Sequence, residues 1–89
     1  MLMKITLRQL QVFVAIATHG HATRAADTIG MTQSAASMAL ADLERQLGSQ
    51  LFNRAGRQLR LNDLGRQLLG QAVEVLDSVA AIEAAVRGD

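Results

Sequence analysis

The segment from Gly20 to Gly48 constrains the fold most, because it reads as two short helices joined by a tight turn. Gly30 and Gly48 stand where the two helices should end, since glycine enters the left-handed backbone region without a Cβ clash. Thr23 and Thr32 are suited to cap the helix starts. Spacings of four, three and four predict one apolar face on the second helix, formed by Ala36, Leu40, Leu43 and Leu47. The pattern predicts a helix-turn-helix, with an ordinary helical hairpin as the alternative.

A helix is predicted before this pair, capped by Thr6 and ending near His19 and Gly20. Its apolar residues recur every three or four positions: Leu7, Leu10, Phe13, Val14 and Ala17. The chain has 89 residues and only two aromatic ones. We therefore expect this helix to supply most of the bulk that the alanine-rich pair lacks.

After Gly48 the pattern changes to short extended segments. Residues 51–54 and 57–61 flank Ala55 and Gly56, which is typical of a hairpin with a glycine turn. In the second segment, Leu59 and Leu61 alternate with polar residues. A hairpin directly after a helix-turn-helix is a wing, and the alternative is a solvated turn with incidental arginines.

A last helix is predicted from Asn62, which can cap it, with Asp63 placed favourably in the first turn. About 25 residues would form a rod about 37 Å long, more than so small a body can cover. Its apolar residues follow heptad spacing and form a seam expected to meet a second copy: Leu68, Ala72, Val75, Val79, Ile82 and Val86.

A second apolar stripe on this helix is expected to face its own domain: Leu64, Leu69, Val73, Leu76 and Ala80. Gly65 and Gly70 lower helix propensity by up to ~1 kcal/mol each. They are therefore expected where two backbones approach closely.

Charge is distributed unevenly, although the net charge is only +1. Five arginines and one acidic residue lie between Arg45 and Arg66, whereas residues 68–89 carry four acidic residues and one arginine. This asymmetry indicates a polyanionic partner for the hairpin region. With no cysteine, no disulfide framework is possible, and no apolar run reaches the length of a membrane span.

Other classes of function find little support. His19 and His21 flank Gly20, but no cysteine or nearby acid completes a metal-ligand set, which favours solvated loop residues. No nucleophile–base pair or phosphate-binding loop indicates an enzyme. The lack of an aromatic platform disfavours binding of single-stranded RNA.

The ordered motifs resemble the N-terminal region of LysR-type transcriptional regulators over nearly the whole chain. The matching segments are Thr23-Arg24-Ala25-Ala26, Thr32-Gln33-Ser34-Ala35-Ala36-Ser37, Leu43-Glu44-Arg45-Gln46-Leu47-Gly48, Leu51-Phe52-Asn53-Arg54 and Leu61-Asn62-Asp63-Leu64-Gly65. Three positions depart from the family pattern. Ser34-Ala35 lacks the usual proline, Met38 replaces a basic residue, and Asn62 replaces threonine.

The resemblance implies an all-α fold with a small β-hairpin wing: a winged helix-turn-helix over residues 1–61 and a dimerisation helix over 62–89. It implies antiparallel pairing of this helix and an effector-binding domain outside this chain, so we expect a piece of a longer protein. The predicted function is sequence-specific binding of double-stranded DNA, without a cofactor, by a cytoplasmic bacterial regulator. The alternative is a winged-helix protein-interaction module.

The predicted partners are an interrupted palindromic operator and a second copy of the chain, with a tetramer conceivable for the longer protein and no membrane. Gln33 can pair with adenine at the start of the recognition helix. Ala36 is expected in the core, and Ala35 beside a thymine methyl group. The predicted DNA-binding residues are Thr32, Gln33, Ser34, Ser37, Met38, Arg54, Arg57, Arg60 and Arg24.

Overall fold

The computed structural model describes residues 4–88, which form four helices and one two-stranded antiparallel hairpin. In chain order the elements are α1 (Leu7–His19), α2 (Ala22–Thr28), α3 (Gln33–Leu47), β1 (Phe52–Ala55), β2 (Gln58–Leu61) and α4 (Asp63–Arg87). This architecture confirms the predicted fold class. None of the helices between residues 4 and 88 combines the length and the apolar character that a membrane span requires.

Most helix ends lie where the sequence predicts them. Thr6 caps α1 in a capping box, in which its hydroxyl and the Gln9 side chain each accept a hydrogen bond from the other residue's backbone N–H. Thr32 Oγ1 accepts from Ala35 N at 3.1 Å, and Asn62 Oδ1 accepts from Gly65 N at 2.8 Å. The predicted starts of α1, α3 and α4 are therefore confirmed.

The predicted cap at Thr23 is wrong. Helix α2 begins at Ala22, with His21 at the N-cap and no side-chain cap bond, so Thr23 lies inside the first turn. Gly20 ends α1 in the left-handed conformation with φ 75°, and only His21 separates it from α2. An N-cap residue has an extended backbone, and His21 already takes this conformation directly before α2. Thr23 is therefore helical and cannot serve as the cap.

The core forms where α1 crosses the other helices. Its largest fully buried side chains are Phe13, Ile16, Leu43, Leu51 and Val12. The rings of Phe13 and Phe52 meet edge to face with centroids 5.7 Å apart, which joins α1 to the hairpin. The buried face of α1 is rotated from the predicted one, because Leu7 is 49% exposed whereas Val12 and Ile16 are fully buried.

The hairpin is attached to the helical body through β2. Its register pairs Phe52 with Leu61 and Arg54 with Leu59. Leu59 N donates to the Gly20 carbonyl oxygen at 2.8 Å, so β2 is bonded to the connection between α1 and α2. The predicted alternation along β2 is confirmed, since the half-buried Leu59 and Leu61 alternate with the exposed Gln58 and Arg60.

Helix α4 rests on the body only over its first turns. Gly65 is buried, and an added Cβ there would overlap the carbonyl oxygen of Leu51, which confirms the predicted close approach. An added Cβ at Gly70 would meet nothing within 4 Å, so the same prediction for Gly70 is wrong within this chain. Gly70 lies on an exposed face of α4, away from the body.

The two apolar stripes of α4 are arranged differently from the prediction. Ala72 is 4% exposed, and Leu68 packs against the core, so both seam residues contact their own domain. In the second stripe, Leu64 and Leu69 also pack against the core, whereas Val73 is exposed. The large apolar side chains that remain exposed on α4 beyond Ala72 therefore come mainly from the predicted seam.

Candidate nucleic-acid interface

An open cleft of about 730 Å³ lies between α2, α3 and the hairpin. It brings together five of the predicted DNA-binding residues from three elements: Arg24, Gln33, Ser37, Arg54 and Arg57. Helix α3 forms one wall of this cleft, and the hairpin forms another. The arrangement gives one surface with hydrogen-bonding groups on a helix and cations beside them.

The start of α3 presents polar groups to solvent. The Thr32 cap fixes the first turn, and Gln33, Ser34 and Ala35 are exposed. Ala36 faces the opposite way and is fully buried, as predicted. Gln33 Nε2 donates to Ser37 Oγ at 2.7 Å, so these two cleft residues are bonded to each other across one helical turn.

The cations of the cleft are available to a ligand. Arg45 and Arg66 are paired with Asp42 and Asp63 on their own helices. By contrast, no ion pair within residues 4–88 involves the three cleft arginines, Arg24, Arg54 and Arg57. Two of the five arginines between Arg45 and Arg66 are thus neutralised locally, and the positive potential concentrates at the cleft and the hairpin.

Arg60 lies apart from the other hairpin arginines. Directly opposed residues of an antiparallel pair share a face, and faces alternate along a strand. The register therefore places Arg54 and Leu59 on the cleft face, whereas Asn53 and Arg60 lie on the other face. The sequence predicts Arg60 in one group with Arg54 and Arg57, but the hairpin register places it on the other face.

Three further predicted residues lie on α3 or at its cap but do not line the cleft: Thr32, Ser34 and Met38. Met38 is 66% exposed, so its thioether is accessible on the helix surface. These residues can meet a ligand that extends beyond the cleft along α3. No side chain of this group is buried in the core.

The sequence-based prediction missed Glu44. Its Oε2 accepts from Leu51 N at 2.7 Å, and Glu44 also lines the cleft. This bond joins the last turn of α3 to the residue that precedes the hairpin. Glu44 lies in the Leu43–Gly48 motif, but sequence spacing gives no indication that a carboxylate seven residues earlier meets this backbone N–H.

His21 and Asp27 also line the cleft without having been predicted as site residues. His21 occupies the N-cap position of α2 without a side-chain hydrogen bond to the helix. It is half-buried and therefore less solvated than the predicted loop residue. Over residues 4–88, no three histidine, cysteine, aspartate or glutamate side chains come close enough to hold a metal ion.

A second, apolar groove of about 260 Å³ lies at the base of α4. Its lining includes half-exposed residues of the N-terminal segment, α3 and α4, among them Ile5, Leu47 and Val75. Farther along α4, Ile82 is 65% exposed and Val86 is 84% exposed. An apolar surface therefore continues from this groove along the outer half of α4.

Known proteins share both the sequence pattern and the fold. The model of the family described as bacterial regulatory helix-turn-helix protein, lysR family, matches residues 7–66. An uncharacterized HTH-type transcriptional regulator of Escherichia coli (strain K12), YeiE, is 46% identical over 87 residues. That alignment covers 98% of this chain and 30% of YeiE, so the chain spans about a third of that relative's length.

Two solved structures extend the comparison. The oxidized form of Corynebacterium glutamicum OxyR superposes with a TM-score of 0.92 at 35% identity, covering 97% of this chain and 26% of that one. The protein in a complex described as CbnR_DBD-DNA superposes with a TM-score of 0.83 at 28% identity, covering 93% of this chain and 95% of that one. The second neighbour was therefore solved with DNA bound.

Proposed function

Since the chain belongs to the lysR family of bacterial regulatory helix-turn-helix proteins, we propose that it binds double-stranded DNA sequence-specifically as part of a transcriptional regulator. The observation that carries this proposal is the cleft in which the exposed start of α3 lies beside the unpaired arginines Arg54 and Arg57. A groove of duplex DNA offers base edges and phosphates side by side, and this surface can contact both at once. The relatives are regulators, and the chain is not an enzyme.

Helix α3 serves as the recognition helix. The first residues of such a helix meet base edges in the major groove. Gln33, Ser34 and Ala35 occupy this position and are exposed. An amide side chain can pair with adenine through two hydrogen bonds, and the Ala35 methyl group can contact a thymine methyl.

The hairpin supplies most of the phosphate contacts. Met38 provides no charge on the exposed face of α3, so the electrostatic attraction comes from Arg54 and Arg57, with Arg24 on the far side of the cleft. Each arginine that neutralises a phosphate releases condensed counterions and so makes the affinity depend on salt. Arg60 contributes less, because it lies on the opposite face of the hairpin.

The chain acts as a dimer through α4, with residues 1–61 as the DNA-binding unit and 62–89 as the dimerisation helix. Residues 1–3 and 89 lie outside the described residues. The seam spacings read four, three, four, three and four in both directions. An antiparallel second copy therefore brings Ile82 of the partner subunit opposite Ala72 and Val79 of the partner subunit opposite Val75.

This pairing also fills the apolar groove at the base of α4. The groove is lined by Leu68, Ala72 and Val75, which are the positions that the exposed end of the antiparallel partner helix reaches. Burying apolar surface stabilises an interface by ~25 cal/mol per Å². Ala72, which is buried in its own domain, therefore forms the floor of this docking surface.

A two-fold dimer presents two recognition helices to one face of the duplex, so the operator is an interrupted palindrome. The site of action of such a regulator is the bacterial cytoplasm, where the chromosome lies. Selection of bound duplexes from a pool of random sequences tests the proposal. Enrichment of two inverted half-sites supports it, whereas binding without enrichment or no binding at low salt favours the protein-interaction module.

A further inference from the structure

The side chains of Gln33 and Ser37 form a bonded pair on the exposed face of α3. Gln33 Nε2 donates to Ser37 Oγ at 2.7 Å, and both residues line the cleft between α3 and the hairpin. We propose that Ser37 is a positioning residue, which holds the Gln33 amide in the orientation that selects an A·T base pair. This inference rests on the proposed function and identifies the base specificity of the same site.

Helix geometry explains why Ser37 reaches Gln33. Residues four apart lie on one face, and each Cα–Cβ bond tilts toward the helix N-terminus, so the Ser37 side chain points back over the first turn. The Thr32 cap fixes that turn by accepting from Ala35 N. The Ser37 hydroxyl is therefore held within hydrogen-bonding distance of the Gln33 amide.

The direction of the hydrogen bond matters for the bases. A glutamine amide has two N–H donors and one carbonyl acceptor. With one N–H directed at Ser37, the second N–H and Oε1 remain for a ligand. Adenine offers the complementary pair in the major groove, an N7 acceptor beside an N6 donor, whereas guanine offers two acceptors. The Ser37 bond therefore favours adenine over guanine.

No other side chain among residues 4–88 bonds to Gln33. Ser34 is exposed on the same turn, and no hydrogen bond joins it to Gln33. Met38 is adjacent to Ser37 and has only a thioether, a weak acceptor. Without Ser37, the Gln33 side chain would have no partner in the free protein, and ordering it would oppose DNA binding.

The test uses the 89-residue chain and the duplex that it selects from random sequence. The A·T pair that Gln33 reads is first identified as the one whose replacement by G·C does not change the affinity of Gln33→Ala. Binding of each variant is then measured to the selected duplex and to the version with G·C at this pair. Ser37→Ala removes the hydroxyl, Ser37→Thr keeps it, and Ser49→Ala removes an exposed hydroxyl just beyond α3 that does not line the cleft. Circular dichroism and thermal melting establish that each variant is folded.

We expect Ser37→Ala to reduce the A·T preference about three- to tenfold, the effect of one hydrogen bond. Ser37→Thr and Ser49→Ala should leave the preference within about twofold, a difference smaller than one hydrogen bond produces. In a Gln33→Ala background, Ser37→Ala should cause no further loss of affinity for the A·T duplex, because its effect acts through the amide.

Two results would overturn the inference while leaving the proposed function intact. One is an unchanged A·T preference in Ser37→Ala. The other is an equal loss of affinity for the A·T duplex when Ser37→Ala is made with and without Gln33, which would mean that Ser37 contacts DNA itself. If the unmodified chain selects no sequence at all, the proposed function fails, and the inference fails with it.

Discussion

Glu44 and Leu51 join the recognition helix to the hairpin, because Leu51 N donates to Glu44 Oε2 at 2.7 Å. The carbonyl oxygen of the same Leu51 accepts from Asn62 N at 3.0 Å, and its side chain is fully buried. One residue is thus held by α3 on one side and by the start of α4 on the other. The relative placement of α3, the hairpin and α4 depends on this backbone.

The first prediction concerns the Glu44 bond. Glu44→Ala should lower the free energy of unfolding by about 1–3 kcal/mol, because it leaves the Leu51 N–H without its charged acceptor. Gln46→Ala is the matched control, since Gln46 is exposed on the same helix. Urea unfolding measures both variants. Equal midpoints for Glu44→Ala and Gln46→Ala would show that the bond contributes nothing to stability.

The second prediction compares two glycines of α4. Gly65→Ala should destabilise the fold by about 1–3 kcal/mol or more, because its Cβ would overlap the Leu51 carbonyl oxygen and displace the base of α4. Gly70→Ala should stabilise it by up to ~1 kcal/mol, since the position is helical and open. Thermal melting of the two variants checks this. A shift of the same sign in both would contradict the close approach at Gly65.

Local chemistry made much of the fold predictable from the sequence. Thr6, Thr32 and Asn62 each cap a helix through the backbone N–H three residues later, and Gly48 ends α3 with φ 71°. Such features depend on the residue and its immediate neighbours. The failure at Thr23 has the same origin, because the two-residue connection between α1 and α2 leaves His21 at the N-cap despite the good capping side chain of Thr23.

Features that depend on the arrangement of elements were not predictable. The hairpin register places Arg60 and Arg54 on opposite faces of the hairpin, and sequence spacing does not reveal this register. Ala72 is buried because the base of α4 packs against the core beside α1, although heptad spacing predicts a place on the seam. The Glu44–Leu51 bond joins a side chain to a backbone group, and no residue pattern encodes it.

The third prediction separates the hairpin arginines by face. Arg54→Ala and Arg57→Ala should each reduce the slope of log affinity against log salt by about one unit, because each loses one phosphate contact. Arg60→Ala should change the slope less, since it lies on the other face of the hairpin. Fluorescence anisotropy across a salt series provides the slopes. A larger change for Arg60→Ala than for Arg54→Ala would mean that the opposite face contacts DNA.

The fourth prediction concerns the dimer. Val79→Asp combined with Ile82→Asp should produce a monomer that keeps its fold, because the two charges would be buried in the proposed seam. The monomer should bind half-sites weakly, since the second recognition helix is no longer tethered. Sedimentation measures the mass, and circular dichroism measures the helix content.

Gln67→Asp combined with Ala81→Asp is the control for this pair. Both positions are exposed and lie away from the seam, and the change in charge is the same. This variant should remain a dimer. If the unmodified chain already sediments as a monomer at tens of micromolar, the dimer proposal is wrong and the apolar face of α4 has another partner.

The most direct test of sequence-specific DNA binding compares two duplexes of equal length and composition. One carries the inverted half-sites selected from random sequence, and the other carries the same bases in shuffled order. At physiological salt we expect the unmodified chain to prefer the first by on the order of 10³-fold. Gln33→Ala should lower affinity for the first by about 1–3 kcal/mol and leave the second nearly unchanged. Equal affinity of the unmodified chain for the two duplexes would contradict the account.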